Sequence, residues 1–137
     1  MDSGKKFKVF GEPVEILLSG EQTGGLSAVI LQTSPPGGGP PPHSHANEDE
    51  IFYPVEGDFE IFDGKEWHRL DTSRAAHYRR GGIHTFRNAG TTTARILIVA
   101  TPAGLEAYLE EISVLTIPQD MEKLIAISAR YGITFHP

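Results

Sequence analysis

A chain of 137 residues with a formal net charge of −6 and 39% hydrophobic residues is large enough for one globular domain, and it lacks the basic clusters that nucleic-acid binding needs. The absence of cysteine excludes disulfides and thiolate ligands, and no apolar run approaches the roughly 18 residues of a membrane span. No long apolar stretch follows Lys5 and Lys6, so we expect no signal peptide and a cytoplasmic protein.

Most of the chain is a series of short apolar-rich runs that predict β-strands. Turn residues separate them at intervals of about eight to twelve residues, which is typical of a β-sandwich or barrel. The strongest hairpin signal is Asp63-Gly64. The predicted strands are residues 6–10, 14–18, 26–33, 50–55, 58–62, 65–70, 75–79, 84–88 and 93–101.

Helical periodicity occurs only near the C-terminus, with apolar residues at i, i+3, i+4 and i+7. Pro118 is expected where the second helix begins, and Gly132 where it ends. We therefore predict an all-β fold in one domain, residues 1–137, with a barrel over about 6–101 and a C-terminal helical hairpin over about 103–131 packed outside it. The apolar positions are Leu105, Tyr108, Leu109 and Ile112, then Met121, Leu124, Ile125 and Ala129.

The Pro- and Gly-rich segment at residues 34–42 has two interpretations. It is either a flexible linker between two domains or a pre-formed loop that leads into the following strand. Neither flank is long enough for an independent domain, and the segment directly precedes a pair of histidines. The sequence favours the loop.

That histidine pair, His43 and His45, predicts a metal site. Alternate side chains of an extended strand point to the same face, so both imidazoles are expected to converge. Glu50 directly precedes an apolar run, and a carboxylate on a buried strand needs a positive partner. Two imidazoles and a carboxylate suit a divalent first-row metal. The alternative is a pair of surface histidines on a solvated strand. Within the metal hypothesis, Glu48 is the substitute for Glu50 as the carboxylate ligand.

His84 is the fourth candidate ligand. It follows Gly81-Gly82 at the start of a predicted strand. It would complete a site of three histidines and one carboxylate, and the alternative is a core histidine that donates to a backbone carbonyl. Four protein ligands leave one or two positions open on a five- or six-coordinate ion.

These residues resemble the two motifs of the cupins. The first motif, a glycine, H-x-H, a glutamate and a second glycine, is matched by Gly37, His43, His45, Glu50 and Gly57. The second is matched by Gly81, His84 and Asn88, but Ser73 and Arg79 stand where the family has glycine and proline.

The resemblance covers roughly residues 14–101 and implies a double-stranded β-helix, or jelly-roll barrel. It also implies a divalent transition metal, Fe, Ni, Mn, Cu or Zn, held by the four candidate ligands. We expect Glu50 to serve additionally as the proton acceptor in catalysis. Tyr53, Phe59 and Phe86 are expected in the core or along the substrate pocket, and His77 is expected either along the pocket or facing solvent.

The ligand set and the single-domain length look most like small bacterial cupins similar to quercetin dioxygenases. This implies oxygenation of a small enol or flavonol-like substrate. A non-redox isomerase, epimerase or decarboxylase is the first alternative, and a binding module without catalysis is the second. Arg79 either meets an anionic substrate or is solvated. A homodimer is expected through the edge formed by residues 6–18.

Overall fold

A computed structural model describes residues 4–137 and places most of them in β-strands. Three helices interrupt or follow the strands. In chain order the elements are β1 (Lys5–Val9), β2 (Glu12–Leu18), α1 (Gly20–Thr23), β3 (Ala28–Ser34), β4 (His43–His45), β5 (Asp49–Glu56), β6 (Phe59–Phe62), β7 (Trp67–Leu70), β8 (Ala76–Tyr78), β9 (Thr85–Asn88), β10 (Ala94–Thr101), α2 (Leu105–Ile112), α3 (Met121–Arg130) and β11 (Ile133–Phe135).

The strands form two layers of antiparallel sheet. The larger sheet has six strands in the order β1-β2-β3-β10-β5-β8. The other layer contains β7-β6-β9 and β11-β4. A bridge joins its two parts: the amide of His43 donates to His84 O at 3.0 Å, and the amide of His84 donates to His43 O at 2.8 Å. This is the jelly-roll barrel that the sequence predicted.

Strict alternation of side chains builds the core between the two layers. In β10, Ala94, Ile96, Ile98 and Ala100 are buried, and the residues between them are partly exposed. The ring of Phe86 from the smaller layer lies 5.5 Å from that of Phe52 in the larger sheet. The two sheets therefore share one apolar interior.

The segment at residues 34–42 is a fixed loop that runs along β9. The amide of Gly37 donates to Asn88 O, and the amide of Asn88 donates to Gly38 O, both at 2.9 Å. Gly39 has φ +135°, and a Cβ there would lie 2.1 Å from Phe86 O. Only glycine fits so close to the neighbouring backbone. The interpretation as a domain linker is therefore wrong.

The C-terminal helices agree with the predicted periodicity, although α3 begins at Met121 rather than at Pro118. The amide of Met121 donates to Pro118 O at 3.1 Å, so the proline lies in a turn that precedes the helix. Gly132, with φ +73°, follows the end of α3 as predicted. None of the helices within residues 4–137 has the length and apolar character needed to cross a membrane.

Candidate metal centre

The strand β4 directs His43 and His45 to the interior of the barrel. Both side chains are buried, at 8% and 2% exposure, and Ser44 between them is only partly buried. β11 pairs with β4, and His136 beyond it contacts the hydroxyl of Ser44 through Nε2 at 2.9 Å. The C-terminal strand thus supports the two histidines from the side. The sequence did not predict it, because three residues are too few for a periodic pattern.

Glu50 and His84 complete a group of four buried side chains. Each can contribute a ligand atom, and these atoms all lie within 4.8 Å of one another. Glu50 Oε1 lies 2.9 Å from His45 Nε2 and 2.8 Å from His84 Nε2. The backbone bridge between His43 and His84 is what unites the two separate stretches of sequence.

The three histidines are oriented alike, each with its Nδ1 turned to an acceptor outside the group. His43 Nδ1 lies 2.8 Å from Pro41 O, and His45 Nδ1 lies 2.6 Å from Glu48 Oε1. His84 Nδ1 lies 3.3 Å from Gly82 O. A proton held on Nδ1 leaves the lone pair of Nε2 available, which is how ligating histidines are usually prepared.

The charges in the group are strongly coupled. Burial and the adjacent His45 lower the pKa of His43 to about 4. Burial opposes protonation of His45 as well, but contacts with Glu48 and Glu50 outweigh it and raise its pKa to about 9. Burial also disfavours the ionised form of Glu50, yet the two imidazoles beside it hold its pKa well below the usual value. These shifts favour an ionised Glu50 beside a protonated His45.

This donor set fits a divalent metal ion. Among the described residues, His45 Nε2 is the buried side-chain polar atom without a well-directed hydrogen bond, although Glu50 Oε1 is near it. Two ligand atoms about 2.1 Å from one ion and at right angles to each other lie about 3 Å apart. The two separations from Glu50 Oε1, 2.8 and 2.9 Å, are close to that value. A cation would also replace the proton that now pairs His45 with the carboxylates.

A cavity of about 430 Å³ opens onto this group, and His43, His45 and Glu50 form its polar end. The inner faces of α2 and α3 contribute to its wall through Leu105, Leu109, Ile112, Met121 and Leu124. The helical hairpin, which was predicted to pack outside the barrel, therefore also contributes its apolar face to the wall of this cavity.

Of the four residues suggested for the pocket, Phe86 lines the cavity. Tyr53 does not, since the alternation of β5 turns it outward at 36% exposure and turns Phe52 into the cavity instead. His77 is exposed and lies opposite Ile51 on the outer face of the larger sheet. The prediction for Tyr53 is therefore corrected, and His77 takes the solvent-facing alternative. The sequence offered a signal for Phe52, because it occupies the same face of β5 as Glu50.

Of its two expected positions, Phe59 occupies the core and not the cavity wall. Its ring packs against that of Phe86 at 5.9 Å, but the cavity does not reach it. Arg79 is exposed. Asn88 ties down a turn: its side-chain amide donates to Ser34 O and Thr92 O.

Glu48 has a role that the sequence did not assign. The sequence suggested Glu48 only as a substitute ligand. In the structure its side chain is 7% exposed, and its Oε1 lies 2.6 Å from Nδ1 of His45. Its spacing of three residues from His45 is the only sequence signal for this contact.

Comparisons with known proteins agree with the fold. A predicted oxalate decarboxylase from Thermotoga maritima is 24% identical with a TM-score of 0.63, covering 73% of this chain and 92% of that one. A cupin-superfamily sugar phosphate isomerase from Silicibacter pomeroyi is 26% identical (TM-score 0.59; 66% and 59% covered). The polyketide cyclase RemF from Streptomyces resistomycificus is also 26% identical (TM-score 0.56; 66% and 64% covered).

No curated protein sequence matches the chain. The model of the cupin domain family, however, matches residues 30–100, which is more than half of the sequence. This region contains all four candidate ligands and nearly all the strands around them. The chain belongs to the cupin family.

Proposed function

We propose that this protein is a metal-dependent enzyme that acts on a small substrate with an enol or hydroxyketone oxygen, as a dioxygenase similar to quercetin dioxygenases. The observation that carries the proposal is the buried group of three imidazoles and one carboxylate, three members of which (His43, His45 and Glu50) line a cavity. A purely structural cluster would not need a cavity beside it.

His43, His45, His84 and Glu50 would hold the ion. When bound, a divalent metal supplies a Lewis acid that polarises a substrate oxygen and stabilises the negative charge that develops on it. Iron, nickel, manganese, copper and zinc are all compatible with nitrogen and oxygen ligands of this kind.

The protein's own side chains perform the remaining tasks. Glu48, Pro41 O and Gly82 O keep the three imidazole rings in one orientation. The apolar cavity wall excludes water from the reacting end, which strengthens electrostatic interactions there. Glu50 lines the cavity as well as facing two histidines, and we propose that its carboxylate accepts the substrate hydroxyl proton.

A non-redox reaction is the second candidate. The isomerase and the cyclase described above share this barrel at 26% identity, and neither name denotes an oxygenase. The same donor set would support proton transfer next to a polarised carbonyl without dioxygen. A binding module without catalysis is the third candidate.

Two measurements on one preparation separate these candidates. Elemental analysis of protein purified without added metal should find a near-stoichiometric transition metal. The protein should then consume oxygen with simple flavonols such as 3-hydroxyflavone, and protein stripped by a chelator should not. Conversion of a substrate by the metal-loaded protein that continues without oxygen would establish the non-redox alternative. A metal-loaded protein that binds ligands but converts none would leave only the binding module.

A further inference from the structure

The cavity beside the candidate metal centre has few polar side chains along its wall. Among the described residues that line it there is no lysine, arginine, serine, threonine or asparagine. Apart from the candidate ligands, the polar side chains along it are those of Glu12, Gln32 and Tyr108. Any charged or hydroxylated part of a ligand would have to be satisfied by these three groups or by the metal centre.

The carboxylate of Glu12, the side-chain nitrogen of Gln32 and the hydroxyl of Tyr108 already have hydrogen-bond partners within the protein. The carboxylate of Glu12 accepts hydrogen bonds from Gln32 Nε2 at 3.0 Å and from the amide of Gly39 at 3.1 Å. The hydroxyls of Tyr108 and Ser128 are 2.8 Å apart and hydrogen-bonded to each other. A buried polar group without a partner is costly, so a sugar ring or a phosphate would be poorly accommodated here.

The remaining wall is apolar and comes from three parts of the chain. The barrel contributes Phe52, Phe86 and Ile98, and α2 and α3 contribute the faces described above. The third part is the β1–β2 turn, where Phe10 lines the cavity while remaining 47% exposed. Phe10 is therefore positioned at the cavity mouth.

The backbone of Phe10 is unusual for an aromatic residue. Its φ is +50°, and Gly11 follows with φ +84°, which makes a two-residue turn of consecutive left-handed conformations. Asn-Gly is the favoured sequence for such a turn, and a bulky residue at its first position is strained. Strain of this kind persists where a side chain has a function, and the function available to Phe10 is contact with whatever occupies the mouth.

We propose that this cavity binds a neutral molecule with an apolar, aromatic body and a single oxygen-bearing end, and that Phe10 and the α2–α3 wall determine this specificity. The inference rests on the proposed function, because it concerns the substrate of the same site. The volume of about 430 Å³ lies near the lower end of the range for ligand pockets. A ligand of one to three rings fits that size better than a long chain or a disaccharide.

Calorimetric titration of the metal-loaded protein tests the inference without requiring turnover. The neutral probes are 2-hydroxyacetophenone and 3-hydroxyflavone, and the polar probes are oxalate and glucose 6-phosphate. Both neutral probes should bind at least about tenfold more tightly than either polar probe. Equal or tighter binding of the polar probes would overturn the inference. A protein that binds the neutral probes but never turns over would contradict the proposed function only.

A matched pair of variants on the helical hairpin tests the wall. Leu109 on α2 lines the cavity, whereas Ile125 on α3 is 56% exposed and does not. Leu109→Gln should weaken binding of 3-hydroxyflavone about tenfold or more, and Ile125→Gln should leave it unchanged, with equal metal content in both. An equal effect of the two substitutions, or none, would refute the role of the wall.

Phe10 is tested by a substitution that suits its backbone. Phe10→Asn should raise the melting temperature, because asparagine tolerates the left-handed conformation, and should at the same time weaken flavonol binding several-fold. If Phe10 had only a structural role, the substitution would change the melting temperature and the affinity for the flavonol in the same direction. Unchanged binding in a stabilised variant would remove Phe10 from the specificity determinants.

Discussion

Glu48 and His45 are both buried, and Oε1 of the glutamate lies 2.6 Å from Nδ1 of the histidine. This contact selects the ring orientation in which Nε2 of His45 is directed at the centre of the candidate site. It also contributes to the raised pKa of His45, about 9, against the effect of burial. Glu48 therefore orients His45, a candidate metal ligand, without being one of the four candidate ligands itself.

Replacing Glu48 should weaken metal binding without removing a ligand. Glu48→Gln retains an acceptor for Nδ1 of His45 but loses the negative charge, so we expect metal affinity to fall about tenfold. Competition with a fluorescent chelator measures the change. Asp49→Asn is the control, because Asp49 contacts Arg80 on the exposed side of the strand. Equal affinity in the Glu48 variant and the wild-type protein would contradict this role.

Removal of one candidate ligand should abolish stoichiometric metal binding. We expect His45→Ala and His84→Ala to lose most of the bound metal, because each removes a buried nitrogen that lies within 3 Å of Glu50 Oε1. Elemental analysis reports the metal, and circular dichroism reports the fold. The exposed His77 provides the matched control: His77→Ala should retain full metal content. Retention of metal by both ligand variants would refute the assignment.

Ser73 stands where the family motif has glycine, and its backbone has a conformation that favours glycine over serine. Its φ is +68°, in the left-handed region. Ser73→Gly should therefore raise the free energy of unfolding, by up to about 1 kcal/mol, after the greater freedom of glycine in the unfolded chain is included.

Urea denaturation measures that change in stability. Ser113→Gly is a suitable control, because Ser113 has φ −61° and its hydroxyl donates to Glu110 O. This second substitution should lower stability. A loss of stability in both variants would show that the strain at Ser73 is negligible.

Gly39 should not tolerate even one added methyl group. Gly39→Ala would bring a Cβ to 2.1 Å from Phe86 O, so we expect a loss of about 2 kcal/mol or more in stability. Gly37→Ala in the same loop also has a positive φ, +79°, but meets no atom within 4 Å and should cost about 1 kcal/mol. The difference between their denaturation midpoints isolates the steric clash. Equal losses would contradict it.

We propose that the protein forms a homodimer through β1, which lies at one edge of the six-stranded sheet. Light scattering should then give twice the monomer mass of 15.0 kDa. Hydrogen exchange should protect β1 more at high protein concentration than at low concentration, whereas β8 at the opposite edge should not change. A mass of one chain at all concentrations would contradict the dimer.

Local patterns were sufficient to predict a β-barrel followed by two helices, whereas the resemblance to the cupin motifs implied the jelly-roll topology. The alternating apolar residues of β10 and the i, i+3, i+4, i+7 positions of α2 each reflect backbone geometry, which repeats within a few residues. Asp63-Gly64 marked the hairpin between β6 and β7, which pair as predicted. The boundaries were less accurate: Leu26 is 69% exposed, and β3 begins only at Ala28.

The pocket could not be predicted with the same success. Tyr53 and Phe52 are both aromatic neighbours on β5, and composition does not distinguish them. The face of β5 that carries Glu50 is the inner one, and this fact alone selects Phe52. The contribution of α2 was missed because periodicity identifies an apolar face of a helix but not the surface it covers.

The amino-acid sequence alone determined which side chains are available as ligands, and the spacing of His43 and His45 placed them on one face of a strand. Only the tertiary structure decided that His84 is hydrogen-bonded through its backbone to His43, that Glu48 orients His45, and that Phe10 borders the cavity. The physical reason is the distance along the chain over which each kind of interaction acts. A repeating backbone sets the direction of neighbouring side chains, whereas distant segments meet through sheet register and packing that no single segment encodes.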